Sequence, residues 1–262
     1  MRPEKFVSTL ILCTVALLAS TLTFFSGFGL GTLLLPAFAL FFPIEQAIAM
    51  TAVVHLLNGL FKLLLVGRHA ARSVVLRFGL PAIVAAMAGA WLLGELGEVE
   101  PLLRYELAGR SLALAPVKLV IGVLLLLFAA IEFSPRLRGI SFAPRWMPLG
   151  GALSGFFGGL SGMQGALRSA FLVRAGLAKE AFIATGVVIA VLIDVPRIAV
   201  YASTAPDVAV LDWGVLVPAI LAAFAGAWLG NRYLKKATLP MIQRLVAILL
   251  VLVALGLISG VL

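Results

Sequence analysis

The sequence is poor in cysteine, histidine, acid and charge of any kind. Its one cysteine, Cys13, lies inside an apolar run. That excludes an internal disulfide and a cysteine zinc site, and it leaves Cys13 as a small apolar side chain. The two histidines, His55 and His69, stand 14 positions apart, without the close spacing of a metal site. No Gly-x-Ser-x-Gly, Walker loop or complete Gly-x-Gly-x-x-Gly occurs. Neither an enzyme nor a nucleotide-driven pump is expected from this chain, and no catalytic residue, metal or other cofactor is assigned. Acids number 11 against 20 Lys+Arg, a net charge of +9. In a soluble protein that excess would point to nucleic acid. Yet charged residues make up only 12% of the chain and hydrophobic ones 63%, with mean hydropathy +1.16. Soluble domains run at about 25% charged and 45–50% apolar. No soluble core hides so much apolar surface, so the lipid bilayer is the expected partner. The basic excess then belongs to cytoplasmic loops, and nucleic acid is not expected.

What is present is a series of long apolar runs. About 20 apolar residues span a bilayer as a helix. By that ruler there are ten segments, at 6–25, 31–42, 44–66, 74–93, 112–131, 146–160, 165–173, 179–201, 213–229 and 239–262. The runs are continuous rather than alternating, which argues for helices over barrel strands. The first segment follows Arg2 and Lys5 but outruns the core of a signal peptide, so it is read as a retained membrane element. A proline-bearing stretch near the middle divides the chain. The expected organisation is a membrane repeat at 1–133, a cytoplasmic linker at 134–148 and a second repeat at 149–262.

The halves resemble each other. Phe24-Phe25-Ser26-Gly27 has a counterpart in Phe156-Phe157-Gly158-Gly159, with glycines following both. The run Glu45–Thr51 aligns with 180–185 when Glu180 is shifted by one. Order as well as content agrees, which favours a true repeat. Loop charge adds orientation. The loops 67–78, 133–148 and 231–244 hold arginines or lysines and no acid, whereas 201–212 holds Asp207 and Asp212 and no Lys or Arg. The first three therefore face the cytoplasm and the last faces outside, together with the mixed 94–118 loop. The basic loop follows the third segment in one half but the fourth in the other, so the repeats are expected to be inverted. That arrangement needs the first two segments to form a hairpin returning to its own side, with Arg2 and Lys5 outside. If they cross only once, the N-terminus is cytoplasmic and the repeat imperfect.

Two features carry the candidate site. Glycine-rich interruptions occur at 26–31 and 158–165, each followed by a segment too short to span. In hydrocarbon such backbone is tolerated only where protein or a polar cavity covers it, and a half-helix starting there aims N–H groups at an anion. Paired breaks of this kind mark transport sites. Gly27, Gly29, Gly31, Ser161, Gly162, Gln164 and Gly165 are the substrate-binding candidates from these breaks. The spacings Gly27-x-x-x-Gly31, Gly155-x-x-x-Gly159 and Gly158-x-x-x-Gly162 equally suit close helix packing. Ionisable residues within spans come second. His55, Asn58 and Lys62 share one helix face at i, i+3, i+7. Asp194 and Arg197 flank Pro196, and Arg168 follows Gln164 by four. Arg168, Asn58 and Arg197 join the substrate-binding set; a guanidinium beside half-helix N–H groups suits a small oxyanion. Arg197 alternatively pairs with Asp194 as a structural ion pair, and Lys62, near a helix end, either snorkels or belongs to the site. His55 and Asp194 are the proton-coupling candidates, with His55 favoured because its face offers no evident acidic partner.

At these residues the chain resembles a known family. The stretches Phe25-Ser-Gly-Phe-Gly-Leu-Gly-Thr-Leu-Leu-Leu-Pro36 and Gly158-Gly-Leu-Ser-Gly-Met-Gln-Gly-Ala-Leu-Arg-Ser-Ala170, with 47–51 and 181–185 after them, resemble the sulfite exporter TauE/SafE family. Two departures are Leu30, where the first motif often has another glycine, and the lack of a second-half proline matching Pro36. The resemblance implies a multi-pass transporter of small sulfur oxyanions or organosulfonates in the bacterial inner membrane. The expectation is an all-α polytopic membrane protein acting as a secondary transporter for a small anion; a homodimer is an assembly the sequence permits. The rival readings are an anion channel and a membrane-embedded accessory or enzyme subunit. Cysteine labelling in a Cys13-free protein tests the topology: positions in 67–73, 134–145 and 231–237 should react from the cytoplasm and those in 203–212 from outside. Reaction at position 207 from the cytoplasmic side alone would overturn the inverted arrangement.

Overall fold

The computed structural model describes residues 3–24, 29–107, 109–204, 211–233 and 240–262. The first half holds α1 (Pro3–Thr23), α2 (Leu30–Ala39), α3 (Ile44–Val66), α4 (Arg72–Glu98) and α5 (Pro116–Phe133). After a single turn, α6 (Pro135–Arg138), come α7 (Met147–Ser161), α8 (Gly165–Leu172), α9 (Lys179–Thr204), α10 (Trp213–Tyr233) and α11 (Pro240–Ile258). Five of these, α1, α3, α4, α9 and α10, are long and apolar enough to cross a bilayer, with shorter apolar helices between them. The protein is an all-α polytopic membrane protein. All ten expected segments appear, but the fifth starts later than its hydropathy implied. Residues 112–114 belong to a small antiparallel hairpin, β1 (Leu103–Leu107) with β2 (Arg110–Leu114), turning at Gly109 with φ +75°. Hydropathy alone does not separate that strand from the helix after it; Pro116, at the first helical turn, does. The hairpin is tied down by the Tyr105 hydroxyl, which donates to the Ser259 carbonyl at the end of α11.

Contacts sort the helix ends into two faces. On one, Lys5 at the start of α1 pairs with Asp212 before α10 at 2.8 Å, and this hydrogen-bonded ammonium holds the Asp212 carboxyl below the usual carboxylate range. Glu45 at the start of α3 lies beside Gly97 near the end of α4, and Gly94 lies against Thr204 at the end of α9. On the other, the Ala71 amide donates to Thr185 Oγ1 at 2.9 Å, and Phe142 stacks on Phe171 at 4.3 Å between ring centroids. Phe171 in turn covers Gly150 at the start of α7. The starts of α1 and α3 thus share a face, so α1 and α2 form a returning hairpin. The start of α7 and the end of α8 share the opposite face. The first face carries Glu45, Glu95, Glu98, Glu100, Glu106 and Asp212 with Lys5, Arg104, Arg110 and Lys118; the second carries Arg68, Arg72, Arg136, Arg145, Arg174 and Lys179 with Glu180. Trp91 and Trp213 lie toward the first and Trp146 and Trp228 toward the second, each about half exposed, as aromatic anchors at two interfaces would be.

Close helix contacts rest on glycine. A Cβ on Gly151, Gly155 or Gly159 of α7 would fall 2.1 Å from the carbonyl oxygens of Phe78, Ala82 and Ala86 on α4, and one on Gly89 equally near Phe156 O. The pairing of α10 with α1 repeats the device: a Cβ on Gly226 or Gly230 would fall 2.3 or 2.6 Å from the carbonyl oxygen of Leu17 or Thr21. Small residues let helices approach where lipid removes most of the hydrophobic drive. The helices α4 and α10 share more than glycine. Residues 81–92 and 218–229 are identical at 10 of 12 positions, including Pro81/Pro218 and Ala-Gly-Ala-Trp at 88–91/225–228. Gly155→Val should destabilise the protein by about 1–3 kcal/mol or more, the cost of overpacking. Gly97→Ala, whose new methyl meets only Glu45 at 3.7 Å, should be neutral or slightly stabilising; thermal unfolding in detergent compares them.

Candidate functional site

The two chain breaks meet. Gly29, at φ +106°, turns the chain into α2, a conformation that L residues rarely adopt. Gly162, at φ +78°, ends α7 before α8 begins at Gly165. A Cβ on Gly31 would lie 3.0 Å from the Gly162 carbonyl oxygen, so one break is packed on the other. Gly27 lies outside the described residues.

Polar side chains gather around this junction in a continuous network. Asp194 of α9 is fully buried. Its Oδ2 faces His55 Nδ1 of α3 at 2.6 Å. Its Oδ1 accepts from Arg197 Nε at 3.0 Å and from Gln164 Nε2 at 3.0 Å, with Arg197 NH2 at 2.8 Å. Arg197 NH1 donates onward to the Gly158 carbonyl at 2.8 Å, and the Tyr201 hydroxyl donates to the Gly159 carbonyl. Gln164 bridges in the other direction, its Oε1 accepting from Arg168 NH1 at 2.9 Å, while its carbonyl accepts from Ser154 at 2.9 Å. Broken helix ends are thereby satisfied inside the protein, as a lipid environment demands.

Against this network lies a small cavity. Its walls are Thr23 and Phe24 from the end of α1, Leu30 from the start of α2, and His55, Asn58 and Lys62 from α3. Arg168 of α8 and the apolar Val187 and Ala190 of α9 complete it. At 1.5 Å per residue, His55 and Lys62 sit about 17 and 27 Å along a helix of roughly 33 Å. The cavity therefore occupies the half of α3 nearer the basic face.

The structure divides the sequence candidates. His55, Asn58 and Arg168 line the cavity; Gly29 stands next to its wall and Gly31 holds the two breaks together. Gln164, Asp194, Arg197 and Gly162 form the layer behind. Ser161 donates to Phe157 of its own helix at 2.9 Å, and Gly165 opens α8; neither lines the cavity. One expectation is corrected and one open alternative is decided. His55 does have an acidic partner, Asp194, supplied by another helix where no pattern within α3 could reveal it. Lys62 does not snorkel: it is only 8% exposed, its ammonium 5.5 Å from the centroid of the Phe24 ring. Its place on the His55–Asn58 face was the signal for this. Tyr201, one turn beyond Arg197, joins the network without having been a sequence candidate; its i+4 spacing from Arg197 is the signal that marks it.

Helices crossing a bilayer around broken segments and a buried cationic cavity define a membrane protein of the transporter class. The family model for sulfite exporter TauE/SafE matches residues 12–257, and the chain belongs to this family. It is a multi-pass membrane transporter. No curated protein and no solved structure is significantly similar to it. Asp194→Asn should be strongly destabilising, by about 3–5 kcal/mol, because it leaves buried cations without their counter-charge. Thermal unfolding in detergent reads that loss, and a melting temperature equal to wild type would deny Asp194 its central place.

Proposed function

We propose that the protein is a secondary transporter of a small oxyanion, a sulfur oxyanion or organosulfonate, in the bacterial inner membrane. The observation that carries this reading is Arg168, buried at 2% exposure in the cavity wall beside two joined helix breaks, in a chain of the sulfite exporter family. A planar guanidinium matches an oxyanion in two hydrogen bonds, and a desolvated wall strengthens both. The basic face is the cytoplasmic one by the excess of arginine and lysine, so the linker at 134–148 is cytoplasmic and the cavity lies nearer the cytoplasm.

Alternating access follows from two repeats inserted in opposite directions. Three observations support it. The helices α4 and α10 share the 81–92 and 218–229 stretch. Each half opens with a hairpin that returns to its own side, on opposite faces. Under the correspondence of α1 with α7 and α4 with α10, the α1–α10 pair maps onto α7–α4; the α3–α9 and α5–α11 pairs map onto themselves. Pairings that exchange in this way let one packing convert to its mirror partner by rocking one repeat on the other.

Coupling falls to the His55–Asp194 pair. The two side chains meet at 2.6 Å, so a proton taken up by one has the other beside it. Histidine exchanges its proton nearest physiological pH and sits in the cavity wall, whereas Asp194 lies behind it. Proteoliposome flux of sulfite, thiosulfate, sulfoacetate and taurine tests the reading. A transporter gives saturable flux that responds to a pH gradient; a channel gives neither. Arg168→Lys should weaken binding by about 1–3 kcal/mol, the range for a charge-assisted hydrogen bond. His55→Gln should keep binding but lose the pH response. Unchanged affinity in a folded Arg168→Ala protein would overturn the anion site.

A further inference from the structure

One buried hydroxyl is unused in this conformation. Among the described residues, Thr51 Oγ1 is the buried side-chain polar atom without a hydrogen-bond partner, and Thr51 is 1% exposed. Thr9, Thr14, Thr21, Thr23 and Thr204 each donate to the carbonyl four residues earlier in their own helices. Thr51 does not make even that bond. A buried donor left unpaired has lost its water without replacement, and such a group calls for an explanation.

Its position supplies one. Thr51, His55, Asn58 and Lys62 recur at i, i+4, i+7 and i+11, so the hydroxyl extends the polar stripe of α3 by one turn toward the acidic face. The helices α3 and α9 run antiparallel, with His55 against Asp194 and Gly59 against Val191. That register puts Thr51 level with Arg197 and Ile198. The cavity takes in His55, Asn58 and Lys62 but neither Thr51 nor Arg197. The stripe therefore continues past the His55–Asp194 pair onto its far side, where this conformation is closed.

The far side matches the near one. Residues 45–62 and 180–197 align without a gap: Glu45, Ile48, Ala49, Val53 and Leu57 meet identical residues, and Lys62 meets Arg197. Lys62 reaches Phe24 at the end of α1, and Arg197 reaches the Gly158 carbonyl in the last turn of α7. Because the helices are antiparallel, these two cations bracket the His55–Asp194 pair from opposite sides. Arg197 holds Asp194 through Nε and NH2 and the carbonyl through NH1. The NH1 arm can change partner while the ion pair stays intact.

We infer that Thr51 contacts the cargo in the outward-open state, donating its hydroxyl beside the NH1 arm of Arg197. An anion that has passed the His55–Asp194 pair then finds donors on the outer side, as Asn58 and Lys62 provide on the inner one. This rests on the transport reading and goes further by naming the residue that serves the opposite face.

The test is transport measured separately from each side. Sulfite, thiosulfate, sulfoacetate and taurine are the probes, in right-side-out and inside-out vesicles carrying the full-length protein. Thr51→Val removes the hydroxyl and keeps the branched shape. Because no bond of this conformation is lost, its melting temperature in detergent should equal or exceed that of the wild type. Its apparent KM for the transported probe should rise roughly tenfold from the outer side, the effect of one hydrogen bond to a charged group, and less than about twofold from the cytoplasmic side. Thr51→Ser, which keeps the hydroxyl, should hold the outer KM within about twofold of wild type. Wild-type KM from both sides in Thr51→Val, or an equal loss from both, overturns the inference. A lowered melting temperature gives the hydroxyl a structural role instead and overturns it too. Wild-type vesicles that carry none of the four probes overturn the transport reading, and this inference with it.

Discussion

A carboxylate buried in a membrane protein is stable only where cations and donors replace the water it has lost, and most of the polar interior here is arranged around one such group. Asp194 binds His55 of α3, Gln164 at the second break and Arg197 of its own helix. Through Arg197 the same charge reaches the Gly158 carbonyl, and through Gln164 it reaches Arg168. One side chain thereby fixes the relative positions of a spanning helix, a half-helix and the chain break between them. The cavity wall inherits its shape from this arrangement: Arg168 and His55 face the opening because Gln164 and Asp194 hold them from behind.

Glycine does two different jobs that look alike in the sequence. Gly151, Gly155 and Gly159 lie on one stripe of α7 and let α4 approach until backbone meets backbone. Gly158 and Gly162, interleaved with them, face the polar network, where Gly158 accepts from Arg197 and Gly162 turns the chain at positive φ. Close packing and the broken helix are therefore complementary uses of one Gly-rich segment. The stripe sets the distance between helices, and the break on its other side exposes polar backbone to Arg197 and, through Gly162 O, to Gly31.

This division suits a transporter. Glycines bring backbone close to backbone between α1 and α10 and between α4 and α7. The charged centre lies between these pairs, at the contact of α3 with α9. Under the alternating access proposed above, a site there would open to either side without dismantling either close-packed pair.

The sequence by itself determined the class of protein, the number of apolar segments, the two breaks and the family, because hydropathy, glycine and proline act locally and leave local marks. It also holds the matching stretches in α4 and α10, identical at 10 of 12 positions. Helix periodicity put His55, Asn58 and Lys62 on one face, and the structure kept them there. What periodicity cannot supply is the partner on another helix. That His55 meets Asp194, that Arg197 turns inward to a carbonyl while Arg168 reaches the cavity, and that Lys62 stays buried against Phe24 when the bilayer surface is only a turn away were decided by tertiary packing. Each depends on residues separated by tens of positions, brought together only when the helices pair, and charge in hydrocarbon takes whichever partner the assembled fold presents.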